Sequence, residues 1–282
     1  MSDHHAPQYV DSGLPQPYHL VRPSPWPIVT AFVAGLMMIG AAMAMHDVKL
    51  GEWPVGQHTF VLGLLGVLAG MFLWWRDIVH ESVVEKVHNK ITETGLRYGM
   101  ALFIASEVMF FSAFFWAYWD TALFPKDAIG NIWPPANIQT FDPFDVPFIM
   151  TIILLLSGTT VTWAHHAAQQ GDNKEIVKAL TATCSLGLLF TLFQVYEYSH
   201  AHFGLKDGIY GATFFMATGF HGLHVIIGNI FLFVCLLRAR KNHFTADRHF
   251  GLEAAAWYWH FVDVVWIFLF VSIYWYGAGG GH

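Results

Sequence analysis

The chain has 282 residues, of which 12% are charged and 55% hydrophobic, with a mean hydropathy of +0.44. A soluble domain is roughly one-quarter charged, so this apolar surplus exceeds what a single water-facing core can hide and calls for lipid. The formal net charge of -6, with no run of Lys and Arg, argues against nucleic-acid binding, and two distant cysteines, Cys184 and Cys235, define neither a disulfide framework nor a thiolate metal motif.

Residues 1–20, MSDHHAPQYVDSGLPQPYHL, lack a basic segment followed by an apolar run, so no cleavable signal peptide is expected. The first apolar run, 28–45, follows PSPWP, where proline suits a helix start and Trp26 suits the lipid–water interface. A second run, 57–75, ends on Trp74, Trp75, Arg76 and Asp77. Residues 76–97 carry Arg76, Asp77, Glu81, Glu85, Lys86, Lys90, Glu93 and Arg97 and read as an amphipathic linker outside the hydrocarbon.

A third span covers 96–119. The loop beyond it contains WPP and FDPFDVP, whose prolines preclude a continuous helix. Spans four to seven cover 146–168, 179–198, 210–237 and 254–276. The fold class expected is therefore an all-α integral membrane protein with seven transmembrane helices. It divides into a part of 1–94, with the tail, two helices and a linker, and a part of 95–282 with the other five helices. Continuous apolar runs exclude the alternating pattern of a membrane β-barrel.

Basic residues set the orientation. Arg22, Arg76, Lys86, Lys90, Arg97, Lys174, Lys178, Arg238, Arg240, Lys241 and Arg248 fall on the amino-terminal side, here side one. Lys49, Lys126 and Lys206 fall on side two. The positive-inside rule then places the amino terminus in the cytoplasm or its equivalent and the carboxy terminus opposite.

Polar residues at depth are the candidate functional groups. Glu107 lies about 15 Å into the third span, near the bilayer centre, where a bare carboxylate is costly. It is expected to be protonated, paired or hydrated, serving either a proton path or a hydrogen bond between helices. His221 and His224 share a face of the sixth span, and His260 and Asp263 repeat that spacing in the seventh. These four could ligate metal or haem, but groups of this kind also hold membrane helices together, which is the favoured reading. Glu197 falls near the side-two end of the fifth span and is expected at the interface. Adjacent His165 and His166 point about 100° apart and make weak metal evidence. Gly66 and Gly70 have the spacing that lets helices approach closely. No catalytic motif is present.

Long strings carry a family resemblance: YHLVRPSPWP at 18–27, WWRDIVHES at 74–82, GLRYGMALFIASEVMFFSAFFWA at 95–117, WAHH at 163–166, TGFHGLHVIIG at 218–228 and EAAAWYWHFVDVVWIFLFVSIYW at 253–275. The chain resembles subunit III of the aa3-type cytochrome c oxidases, of bacterial type. The resemblance implies two amino-terminal helices separated from a five-helix bundle by a cleft that holds structural phospholipid.

It further implies no cofactor in this chain, with haem a, haem a3 and copper held by partner subunits. Subunit I would be in direct contact, subunit II and a small subunit IV would complete the complex, and the membrane would be the bacterial inner membrane. The implied role is to stabilise subunit I in turnover and to modulate proton uptake, with Glu107 as the intramembrane acid that reacts with hydrophobic carbodiimide. Trp75, Glu81, His88 and Arg238 match positions near a phospholipid headgroup. Arg22 departs from the asparagine or aspartate common there. A transporter and a membrane redox enzyme with its own metal are the competing readings.

Overall fold

Seven helices that are long and apolar enough to cross a membrane follow one another in the computed structural model, which describes residues 8–9, 15–16 and 23–278. Arg22 and the segment 18–22 lie outside the described residues, as does most of the amino-terminal tail. Within that tail, β1 (Gln8–Tyr9) and β2 (Pro15–Gln16) form a two-residue antiparallel ladder.

The helices are α1 (Trp26–Met45), α2 (Val55–His80), α3 (Lys90–Leu123), α4 (Val146–Gln169), α5 (Asn173–Ser199), α6 (Gly208–Arg240) and α7 (Phe250–Leu269). Two of them end in wider π-helical turns, Glu81–Glu85 after α2 and Phe270–Tyr276 after α7. The chain belongs to the all-helical membrane class expected from its apolar runs.

Several helices overshoot the apolar runs that announce them. α2 stays helical through Asp77 and His80, and α3 begins at Lys90, so much of the anticipated linker is helix with a break at residues 86–89. The break falls at Lys86, whose positive φ of 54° ends the π-helical turn. Charge ends burial in lipid, but it does not end a helix built from good helix formers. Between α4 and α5 the turn is sharper. Gly171 takes φ 73°, which favours glycine, and the Asp172 carboxylate caps α5 by accepting from the backbone N–H groups of Lys174 and Glu175 at 3.0 and 3.2 Å.

Contacts divide the chain into two units, Met1–Leu96 and Arg97–His282. In the first, α1 and α2 pack through glycine. A Cβ on Gly40 would strike the backbone of Phe60, one on Gly56 the backbone of Ala44, and one on Gly63 the backbone of Met37. Gly66 and Gly70 also face α1, but they meet the side chains of Val33 and Thr30. The closest backbone approach therefore lies at Gly40, Gly56 and Gly63. One polar clasp supports it, Trp26 Nε1 donating to Asp77 Oδ2 at 2.5 Å.

The second unit centres on α7. Of its most apolar stretch 61% is buried, against 6% for α1, so α7 is the axis on which the others pack. The Trp259 indole fits where Gly187 of α5 and Gly228 of α6 leave room for it, and its Nε1 donates to Ser157 Oγ of α4 at 2.8 Å. Trp266 repeats the device, donating to Thr151 Oγ1 at 2.8 Å and meeting Phe190 edge to face with centroids 4.8 Å apart. Each indole thus buries its aromatic body and satisfies its one donor.

Candidate functional site

The second unit gathers the membrane-embedded acids and histidines into three groups. In the first, Glu107 of α3 and His224 of α6 meet, with Oε2 and Nε2 3.0 Å apart. His224 Nδ1 lies 2.6 Å from the carbonyl oxygen of Phe220. A carbonyl cannot donate, so that contact places a proton on Nδ1. The 3.0 Å contact then needs a single proton, on Nε2 or on Oε2, and the pair carries no net charge in either case. Glu107 is thus paired, one of the outcomes expected for an acid at that depth. Its side chain keeps 21% of its surface exposed, while His224 is held against Phe111, with ring centroids 4.9 Å apart.

His221, one turn away, takes a different partner. Fully buried, it donates from Nε2 to the carbonyl oxygen of Val262 on α7 at 3.2 Å and lies against Trp266. Histidines that share a face by spacing therefore tie α6 to two neighbours, α3 and α7.

In the second group, His260 Nδ1 sits 3.6 Å from Asp263 Oδ2, and His260 Nε2 is 3.1 Å from Thr162 Oγ1 of α4. Asp263 is buried against Gly158, where no side chain would fit. The i,i+3 spacing thus yields both an internal contact and a bond to a neighbouring helix.

The third group corrects the sequence reading. Glu197, expected at the interface, is only 2% exposed. Its Oε1 accepts from the Tyr274 hydroxyl at 2.6 Å and from Gln194 Nε2 at 3.4 Å. The reason is that the π-helical turn after α7 carries Tyr274 over the end of α5. Sequence reasoning missed Tyr274 and Thr162 as partners; Gln194, three residues before Glu197 and so on the same helical face, was the one available signal.

The residues matched to a lipid headgroup fall in both units. In the first, Trp75 is 59% exposed, and Glu81 Oε2 lies 3.9 Å from His88 Nε2. In the second, the Arg238 guanidinium stacks over Phe244 at 4.7 Å, beside Gly251, and forms no ion pair with a carboxylate among the described residues. Also among the described residues, no three His, Cys, Asp or Glu side chains are placed to hold one metal ion. Both cysteines are free, Cys235 buried with its thiol 3.5 Å from the Gly251 carbonyl.

These features define a multi-pass membrane protein whose embedded acids and histidines bind helix to helix. Comparison with known proteins gives the family. A profile described as Cytochrome c oxidase subunit III matches residues 16–278. Cytochrome c oxidase subunit 3 of Arabidopsis thaliana is 55% identical over 93% of this chain and 97% of its own length. The subunits of Dugong dugon and Sus scrofa are each 53% identical with the same coverage. The chain belongs to the cytochrome c oxidase subunit III family, and membership implies a complex with other oxidase subunits.

Proposed function

We propose that this chain is a non-catalytic core subunit of a proton-pumping, aa3-type cytochrome c oxidase of a bacterial inner membrane. It stabilises subunit I during turnover, binds phospholipid and modulates proton uptake, while haem a, haem a3 and copper belong to its partners, subunits I and II, with a small subunit IV completing the complex. The amino terminus faces the cytoplasm and the carboxy terminus the periplasm.

The observation that carries this reading is the commitment of the embedded polar groups to one another. Glu107, His221, His224, His260 and Asp263 are engaged in contacts within and between helices. That commitment supports a structural and modulatory role. The partial exposure of the Glu107–His224 pair supports modulation, since a protonatable pair open to lipid can respond to events at the surface of α3. Lipid binding is supported by Arg238, a cation without a carboxylate partner among the described residues at the basic end of α6 and thus suited to a phosphate. Trp75 offers an exposed indole at the glycerol level, with Glu81 and His88, 3.9 Å apart, in the same unit.

The test is turnover of the oxidase with and without this chain. The depleted complex should begin electron transfer at a rate near that of the complete one and lose activity sooner. Equal active lifetimes would refute the role, and flux of a solute through the isolated, reconstituted chain would favour a transporter instead.

A further inference from the structure

Among the described residues, Tyr274 is the one tyrosine whose hydroxyl donates to a carboxylate, Glu197 Oε1 at 2.6 Å. The Tyr198 hydroxyl pairs instead with Thr218 Oγ1, and the Tyr118 hydroxyl accepts from Trp133 Nε1. Tyr274 and Glu197 are both buried. Glu197 makes no ion pair, and its Oε2 accepts no hydrogen bond, among the described residues. A buried carboxylate with no cation beside it is costly, and a proton placed on it removes the charge.

The Tyr274 ring also ends a file of aromatic rings that leads to the surface. Ring centroids are 5.5 Å apart from Tyr274 to Phe214, 6.2 Å from Phe214 to Tyr210, and 5.3 Å from Tyr210 to Trp133. The file continues over 5.5 Å to Tyr118 and 5.8 Å to Trp119. Trp119 is half-buried, and it meets Tyr276, which is 39% exposed, at 4.8 Å. Tyrosine and tryptophan rings give up one electron at neighbouring potentials, so an oxidising equivalent can pass along the file, with Phe214 as a bridge.

We propose that Tyr274 is a redox-active tyrosine, with Glu197 as its proton acceptor, and that it traps oxidising equivalents which peroxyl radicals deliver at Trp119. A tyrosine yields its electron only together with its phenolic proton, because the oxidised phenol is a very strong acid. One electron leaves Tyr274 along the file to Trp119 and on to the radical. At the same time the Tyr274 O–H bond breaks and an O–H bond forms on Glu197. The peroxyl radical takes the electron and one proton from water at the membrane surface and becomes a hydroperoxide. Tyr274 is thus oxidised to a neutral tyrosyl radical, the peroxyl radical is reduced, and the buried negative charge is gone. That loss of charge makes Tyr274 the end of the relay, since the hydroxyls of Tyr210 and Tyr118 have no carboxylate to take their protons among the described residues. An oxidase handles oxygen, whose partial reduction is a source of peroxyl radicals.

For the test, a ruthenium(II) polypyridyl complex is tethered at Leu123→Cys, an exposed position one turn from Trp119, in the intact oxidase carrying Cys184→Ser. A laser flash with an external electron acceptor converts it to ruthenium(III), which stands in for the peroxyl radical. Electron paramagnetic resonance should then show a tyrosyl radical whose spectrum narrows on ring deuteration of tyrosine, and Tyr274→Phe should abolish it. Glu197→Gln, which accepts a hydrogen bond but does not hold the proton, should lower the yield about tenfold. Trp133→Phe leaves the Tyr274–Glu197 pair in place and should slow the rise of the signal, which a purely structural role would not do. A signal unchanged in any of these three variants, or ruthenium(III) reduced with no tyrosyl signal, overturns the proposal. Replacing Tyr274 with 3-aminotyrosine keeps the hydroxyl and should move the radical onto the new ring. A signal that stays on ordinary tyrosine overturns the proposal even where the other variants fail to assemble.

Discussion

The α1–α2 pair and the α4–α7 group are both helices packed in lipid, yet they cohere by different means. α1 and α2 bring backbone against backbone at Gly40, Gly56 and Gly63, with one polar clasp at Trp26 and Asp77. The α4–α7 group packs large aromatic rings and joins them by hydrogen bonds: Trp259 to Ser157, Trp266 to Thr151, Tyr274 to Glu197, and Thr160 to Thr183. Lipid tails solvate apolar side chains as well as a neighbouring helix does, so association rests on close packing and polar bonds. The first unit relies mainly on close packing, and the second combines it with a polar network.

The difference predicts which substitutions each region withstands. The largest effect is expected for Trp259→Ala, which empties the space between Gly187 and Gly228 and removes the indole N–H that donates to the Ser157 hydroxyl. The cost should be about 3–5 kcal/mol, read as a lowered unfolding temperature of the complex or as loss of this chain from it. A smaller loss in Trp259→Phe would separate the contribution of the ring from that of the N–H. Gly63→Leu should follow at about 1–3 kcal/mol by forcing α1 from α2. It should leave the hydrogen-bonded group intact, so cross-links between cysteines placed on α1 and α2 should weaken while those between α5 and α6 persist. If both pairs weaken together, the two packings are not separable.

The same contrast explains what the sequence discloses. Seven spans are legible because apolar length is a local property, and the embedded acids and histidines stand out against it. Glu107 and His224 are individually conspicuous, but 117 residues separate them, and nothing in one sequence says which helices are neighbours. Glu197 was misplaced for a related reason. Two residues before the end of α5 its depth reads as interfacial, and only the path of α7 puts Tyr274 over it. Side-chain depth is local, whereas burial depends on which element passes by.

The Glu107–His224 bond tests whether the polar network needs charge or only donors and acceptors. Glu107→Gln should cost less than about 1 kcal/mol and should assemble, because the amide N–H can donate to Nε2 while His224 keeps its Nδ1 bond to Phe220. Glu107→Leu leaves Nε2 without a partner and should cost about 1–3 kcal/mol. Comparable loss of assembly in both variants would mean that the carboxyl itself is required and that the amide cannot replace it.

The smallest effect is expected outside both packings, in the loop between α6 and α7. Burial, reinforced by the neighbouring Arg238 and Lys241, holds the His243 imidazole below its ordinary range. A histidine lowered in this way favours the neutral form when folded. Its contribution is therefore present above the unfolded value, near pH 6.5, and is lost as pH falls through the lower folded value. Hydrogen exchange of residues 241–249 should quicken on acidification in the unmodified complex relative to His243→Gln, which cannot take up the proton. The difference between the two should vanish at pH 8. A difference that persists there would assign the effect of the substitution to lost packing, and protonation would have no part in holding this loop.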